Sequence, residues 1–268
     1  PLLHRARALG AAALCTGHYA RLLRDPARFG GALTLQRAVD PRKDQSYFLF
    51  SMPPAALPFV RFPLGELTKD QVRAHARRLG LPNAEKEESQ EICFVPDGDH
   101  AGFVDRAVGG MAAGEIVDLE GRVLGSHGGV QRYTIGQRRG IGVGVGEPQY
   151  VVGIDALTRR VRVGPKAALA TQAALLDEVR WLVPAPAAGE VLTALVQIRY
   201  RHRPQPARVR VLADGQAEVS FLSPELAVAP GQAAVIYDGD VVLGGGFIRH
   251  TQAAERGALG REGHAALG

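Results

Sequence analysis

Val191-Leu192-Thr193-Ala194-Leu195-Val196-Gln197-Ile198-Arg199-Tyr200-Arg201 is the stretch that decides how the C-terminal half folds. Leu192, Ala194, Val196, Ile198 and Tyr200 point one way. Thr193, Gln197, Arg199, Arg201 and Arg203 point mainly the other, which is the period of a half-buried β-strand. Working outward, similar runs predict strands over 176–183, 190–203, 207–213, 216–222, 233–237 and 240–248. Asp214-Gly215 and Asp238-Gly239 mark tight turns, and Pro184 to Gly189 reads as an inter-strand loop. Six short strands in about 75 residues predict a small barrel.

N-terminal to it, residues 99 to 165 read as a short helix (Asp99 to Val108) followed by β segments at 115–119, 122–124, 150–154 and 160–163. Gly140, Gly142, Gly144 and Gly146 do not form a dinucleotide loop, because Pro148 and a strand follow where a helix is needed. They read as a flexible connector. Residues 3 to 50 read as α/β: a helix over Leu3 to Leu9, a short buried strand over Ala11 to Cys15, and a Thr16-Gly17-His18 loop. That loop lies at the strand's carboxyl end, where open α/β sheets place ligands. A strand over Leu33 to Ala38 and a helix over Lys43 to Phe50, stopped by Pro53-Pro54, follow. Thr68 and Gln71 form a capping box for a helix that buries Val72, Ala76 and Leu79 and closes at Gly80.

Hydrophobic residues make up 46% and charged residues 22% of the 268, an ordinary globular composition with ample core. No run of about 18 apolar residues exists to predict a membrane-spanning helix, and no secretion signal is visible. Two cysteines far apart, Cys15 and Cys93, argue against a disulfide scaffold and favour a reducing cytoplasm. No Cys or His cluster has zinc-ligand spacing, so no structural metal is expected. Arginine-rich coding alone could account for a net charge of +5, so its distribution matters more. Arg199, Arg201, Arg203, Arg208 and Arg210 occur without an intervening carboxylate, a local field suited to phosphates.

Cys93 sits in Ser89-Gln90-Glu91-Ile92-Cys93-Phe94-Val95-Pro96-Asp97-Gly98, after Glu85-Lys86-Glu87-Glu88. This reads as a short strand reaching a polar loop, where a substrate can approach a thiol. Cys15 ends an apolar strand and reads as a small buried hydrophobe. Lys43-Asp44-Gln45 opens a helix, so its amides could hold a phosphate, or Asp44 could simply complement the helix dipole.

Thr16-Gly17-His18-Tyr19-Ala20-Arg21, Lys43 to Leu49, the Cys93 segment, Tyr133 to Gly140, Gln197 to Arg201 and Pro230-Gly231-Gln232-Ala233 occur in that order. In order and separation they resemble the tRNA-specific 2-thiouridylases, the MnmA/TrmU family, over roughly residues 2 to 249. The resemblance implies an ATP-pyrophosphatase-type, Rossmann-like α/β remnant over 1–98, a central β-rich tRNA-binding domain over 99–166, a β-barrel over 167–252 and a flexible tail over 253–268. It implies a transferase that adenylates O2 of the wobble uridine of tRNA with Mg-dependent ATP and then delivers persulfide sulfur to C2. Cys93 then matches the persulfide-carrying cysteine, and Gly17 the glycine lying against the nucleotide. His18, Lys43, Asp44, Gln45, Arg199, Tyr200 and Gln232 match tRNA contacts. The implied partners are tRNA and a sulfur-relay donor, with no membrane, and the expected state is a cytoplasmic monomer.

The family's Ser-Gly-Gly-x-Asp-Ser phosphate loop and its first catalytic cysteine, preceded by Asn-Pro-Asp, have no counterpart in these residues. The chain therefore reads as a thiouridylase lacking its first third and inactive alone. A non-catalytic tRNA-binding remnant and a cytosolic β-barrel interaction module are the competing readings.

Overall fold

The computed structural model describes residues 2–82, 84–85, 102–103, 106, 112–144 and 146–254. The Cys93 segment, most of the helix expected over 99–108 and most of the C-terminal tail lie outside them.

The expected first helix forms as α1 (Leu2–Ala8). The strand expected over Ala11 to Cys15 shrinks to β1 (Leu14–Cys15), and Cys15 is exposed rather than buried. The reason is topological. A parallel strand is buried when neighbours flank it and helices cover it, whereas β1 has a single hydrogen-bonded neighbour among the described residues. β2 (Ala20–Arg24) and β3 (Leu33–Arg37) form an antiparallel hairpin with Leu22 opposite Leu35. Ala-Arg-Leu-Leu-Arg lacks both alternation and β-branched residues, so β2 leaves no strand signal in the sequence.

The helix expected over Lys43 to Phe50 is only α2 (Ser46–Leu49). The residues before it form a turn instead: the Lys43 amide donates to the Asp40 carbonyl at 3.0 Å and the Gln45 amide to that of Tyr19 at 2.9 Å. β4 (Val60–Arg61) then runs parallel to β1. α3 (Lys69–Arg78) begins with the expected capping box, Gln71 N donating to Thr68 Oγ1 at 3.3 Å and Thr68 N to Gln71 Oε1 at 2.8 Å. Its apolar side is not buried as expected: Leu79 is 66% exposed, and no residue within α3 is fully buried.

Asp40 ties this end of α3 to the turn before α2. Its carboxylate accepts from Arg42 Nε and N and from the Lys69 amide at 3.0–3.1 Å. The Arg42 hydrogen bond, and after it the Lys69 amide, hold the carboxyl down to about 2. Because the folded value lies below the unfolded one, Asp40 stabilises the fold above about pH 4 and loses that contribution as pH falls towards 2. Asp40→Asn is expected to flatten the stability profile in that window when unfolding is followed by circular dichroism. An unchanged profile would remove Asp40 from the acid response.

In the middle segment, β5 (Gly114–Val117), β6 (Val123–His127), β7 (Tyr150–Asp155) and β8 (Arg160–Gly164) form a sheet in the order β6-β5-β8-β7. β5 and β8 are parallel; the other pairs are antiparallel. Ile116, Val130, Ile141, Val151, Val161 and Val163 make its core. Residues 140–144 form neither helix nor strand.

The last third closes a barrel. β9 (Ala170–Trp181), β10 (Val191–Gln197), β11 (Gln205–Val211), β12 (Ala217–Leu226), β13 (Ala233–Asp238) and β14 (Val241–Ala253) pair in the order β13-β10-β11-β12-β9-β14. β13 pairs back onto β14, closing six strands, and β14 continues through β3 to β2. Asp214 (φ 56°) and Gly215 (φ 71°) make the two-residue turn between β11 and β12. At Gly244 a Cβ would fall 2.3 Å from the Arg180 carbonyl oxygen, so β14 approaches β9 as closely as it does only with glycine there.

The strand expected over 190–203 ends at Gln197, and Gln197 is buried rather than outward-facing. The chain then turns, with Arg201 in the left-handed region at φ 66°. Arg199, Arg201 and Arg203 are therefore exposed on a turn, not along one face of a strand.

The chain divides into two compact units. Residues 1–86, 173–222 and 230–251 form one; residues 87–172, 223–229 and 252–268 form the other.

Candidate nucleic-acid interface

Tyr47, the second residue of α2, links its own segment to two others that carry candidate contact residues, those around Tyr200 and Gln232. Its hydroxyl donates to the Ala233 carbonyl at 3.0 Å, next to Gln232. Its ring lies 6.3 Å from that of Tyr200, next to Arg199. Burial pushes its phenol up to about 12, while the Arg199 charge pulls the other way. One residue further, the Phe48 ring lies 4.5 Å from that of Tyr200, and the Arg201 guanidinium 5.6 Å from the Tyr200 ring.

The turn before α2 is held from below. Asp44 accepts from the Ala38 amide at 3.0 Å, Ser46 Oγ at 2.8 Å, the Ser46 amide at 3.2 Å and Arg37 Nη1 at 3.2 Å. The Arg37 guanidinium lies 3.7 Å from the centre of the Tyr237 ring, and its Nη2 donates to Gln197 Oε1 at 3.1 Å. Gln197 Nε2 in turn donates to the Arg199 carbonyl at 3.2 Å. Arg37 thus couples Asp44 to Arg199 through three hydrogen bonds. Tyr237 is fully buried, which pushes its phenol up, and its hydroxyl lies 3.3 Å from Ser46 Oγ.

Gln45 works on the other side. Its Oε1 accepts from the Tyr19 amide at 3.0 Å, fastening the chain just after Gly17 and His18. His18 Nδ1 lies 3.0 Å from Thr16 Oγ1, and its ring meets Phe62 edge-on at 6.3 Å. Gly17 is exposed, and a Cβ there would come no closer than 3.9 Å, to Leu64. Neither its backbone angles nor its surroundings require glycine. Gln232 is exposed, its carbonyl accepting from the Ile248 amide at 2.8 Å.

These contacts alter the sequence reading of Lys43-Asp44-Gln45. The amides of Lys43, Gln45 and Ser46 already have acceptors within the fold, so these three are engaged rather than presented to a phosphate. No local pattern in the sequence marks Arg37, Tyr47, Phe48 or Tyr237 as part of a site. Arg37 meets Gln197 across 160 residues, a pairing that no local pattern signals. The exposed Cys15 borders a cleft of about 650 Å³ between β2 and β4, lined also by Arg21, Arg24, Arg61 and Phe62. Cys93 lies outside the described residues.

Residues 1–97 match the family described as tRNA methyl transferase HUP domain, which is Rossmann-like. Residues 101–165 match the tRNA methyl transferase PRC-barrel domain, and residues 171–248 the aminomethyltransferase beta-barrel domain. Proteins named tRNA-specific 2-thiouridylase MnmA are similar over most of the chain. That of Geotalea uraniireducens is 50% identical over 93% of this chain and 65% of its own length. That of Geobacter metallireducens is 52% identical over 92% and 66%, and that of Chloroflexus aggregans 50% identical over 92% and 68%. The chain spans about two thirds of the length of these relatives, slightly less for the first two.

Proposed function

Because the chain belongs to the tRNA-specific 2-thiouridylase family, we propose that it grips tRNA and carries sulfur in the ATP-dependent thiolation of wobble-uridine C2. The observation that carries this reading is that Tyr47, two residues after the Lys43-Asp44-Gln45 turn, touches both Tyr200 and the carbonyl beside Gln232. Arg199, Arg201 and Arg203 add exposed positive charge, and no carboxylate lies between Glu190 and Asp214. Phosphates are the chemistry such a surface attracts.

Within this reading, Asp44 and Gln45 position the surface, since their side-chain acceptors already serve backbone groups and Arg37. Direct contact falls to Lys43, His18, Arg199, Tyr200 and Gln232. Gly17 leaves open backbone for a nucleotide to approach, which suits ATP binding. ATP supplies the adenylate that turns the uridine oxygen into a leaving group. Cys93 is the persulfide carrier, with a sulfur-relay protein as its donor.

Filter binding of tRNA across a salt series tests the grip. Arg199→Ala, Arg201→Ala and Arg203→Ala are each expected to weaken binding and to make the slope of log K against log salt shallower by about one. An unchanged slope in the triple variant would remove this turn from the interface. Absence of tRNA binding by the parent would instead favour a barrel module with no RNA role.

A further inference from the structure

Phe48 is 51% exposed although it belongs to a helix whose neighbours Ser46 and Tyr47 are buried. A single exposed phenylalanine is unremarkable on its own. Its setting is not, because its ring lies against Tyr200 at 4.5 Å with a 43° tilt, and Arg201 flanks the Tyr200 ring. The mounting is rigid: Tyr47 is tied to Ala233, Ser46 to Asp44, and the Gln197 amide to the Arg199 carbonyl.

We propose that Phe48 and Tyr200 form a stacking platform for one unpaired base of bound RNA, the flanking arginines holding that nucleotide's phosphates. The proposal rests on the tRNA reading above and narrows it to a single-stranded loop. Three occupants can be compared on chemistry. An apolar protein side chain would cover the Phe48 ring but leave the Arg199 and Arg201 charges facing no counter-charge. A paired RNA stem would neutralise the arginines while its stacked bases stay inaccessible to the ring. An unpaired nucleotide brings a π-face and an adjoining phosphate together, and so matches both features at once.

Phe48→Leu keeps apolar bulk and removes the π-face, while Phe48→Trp keeps the π-face. Phe48→Leu is expected to bind tRNA and an unstructured single-stranded RNA about tenfold more weakly, with the salt slope unchanged and affinity for a fully paired RNA duplex unaltered. Phe48→Trp is expected to retain affinity and to lose indole fluorescence when the single strand binds, read against the parent, whose one tryptophan is Trp181. Thermal melting of both variants separates a folding defect from a binding defect, and the Phe48→Trp signal stands if Phe48→Leu does not fold. Equal affinity of Phe48→Leu and parent for tRNA, an equal loss on the duplex, or an unquenched Phe48→Trp would overturn the platform. In each of those cases the tRNA reading stands so long as the parent binds tRNA with an Arg199-dependent salt slope. A parent that binds no tRNA overturns both.

Discussion

A Cys93→Ser chain is expected to take up no sulfur from glutathione persulfide, while a Cys15→Ser chain loads like the parent. In the proposed loading step the Cys93 thiolate attacks the terminal sulfur of the donor. The donor's S–S bond breaks, glutathione leaves as its thiolate, and Cys93 becomes a persulfide. Intact-mass measurement reads the gain of one sulfur atom, and reduction by a dithiol reverses it. The comparison with Cys15→Ser matters because Cys15 is exposed and borders a cleft carrying three arginines, so it is itself open to reagents. Simple alkylation would therefore label Cys15 as well, and sulfur loading is the more discriminating readout. The acidic run preceding Cys93 bears on the same step, since nearby carboxylates disfavour a thiolate. Its first member, Glu85, is paired with Arg77 at 2.6 Å, which draws its carboxyl below the ordinary range. Undiminished loading of Cys93→Ser would transfer the role to Cys15.

Asp44→Ala is expected to cost about 3 kcal/mol of stability, the effect of removing one partner from a largely buried ion pair. The Asp44 side chain is 8% exposed and that of Arg37 21%. Removal would leave Arg37 over the Tyr237 ring without its carboxylate, and the Ala38 and Ser46 amides without their acceptor. Urea denaturation measures the loss. Combining Asp44→Ala with Arg37→Met should recover part of it, because the uncompensated charge is then gone as well. A loss under about 1 kcal/mol would place the pair among ordinary surface ion pairs and remove it as the buttress of the turn.

What the sequence determined by itself is what neighbouring residues impose on one another. Alternation in Val191 to Gln197 specifies a strand because successive side chains must face opposite ways, and Asp214-Gly215 specifies its turn because both residues tolerate positive φ. Thr68 and Gln71 specify a helix start because their mutual bonds span three residues. The family was legible for a related reason: its short words keep their order and spacing whatever the fold does with them.

Tertiary structure alone decided how those words work. Whether the Gln45 amide and the Asp44 carboxylate are open or engaged depends on Tyr19, Ala38 and Arg37 arriving beside them. Gln197 reads as outward-facing by period, but Arg37 reaches it from 160 residues away and it is buried. Cys15 reads as core by its apolar neighbours, yet β1 has one strand beside it among the described residues and its side chain stays open to solvent. Burial and hydrogen-bond satisfaction are properties of which distant segments meet. A pattern of period two or 3.6 carries only the local half of that information.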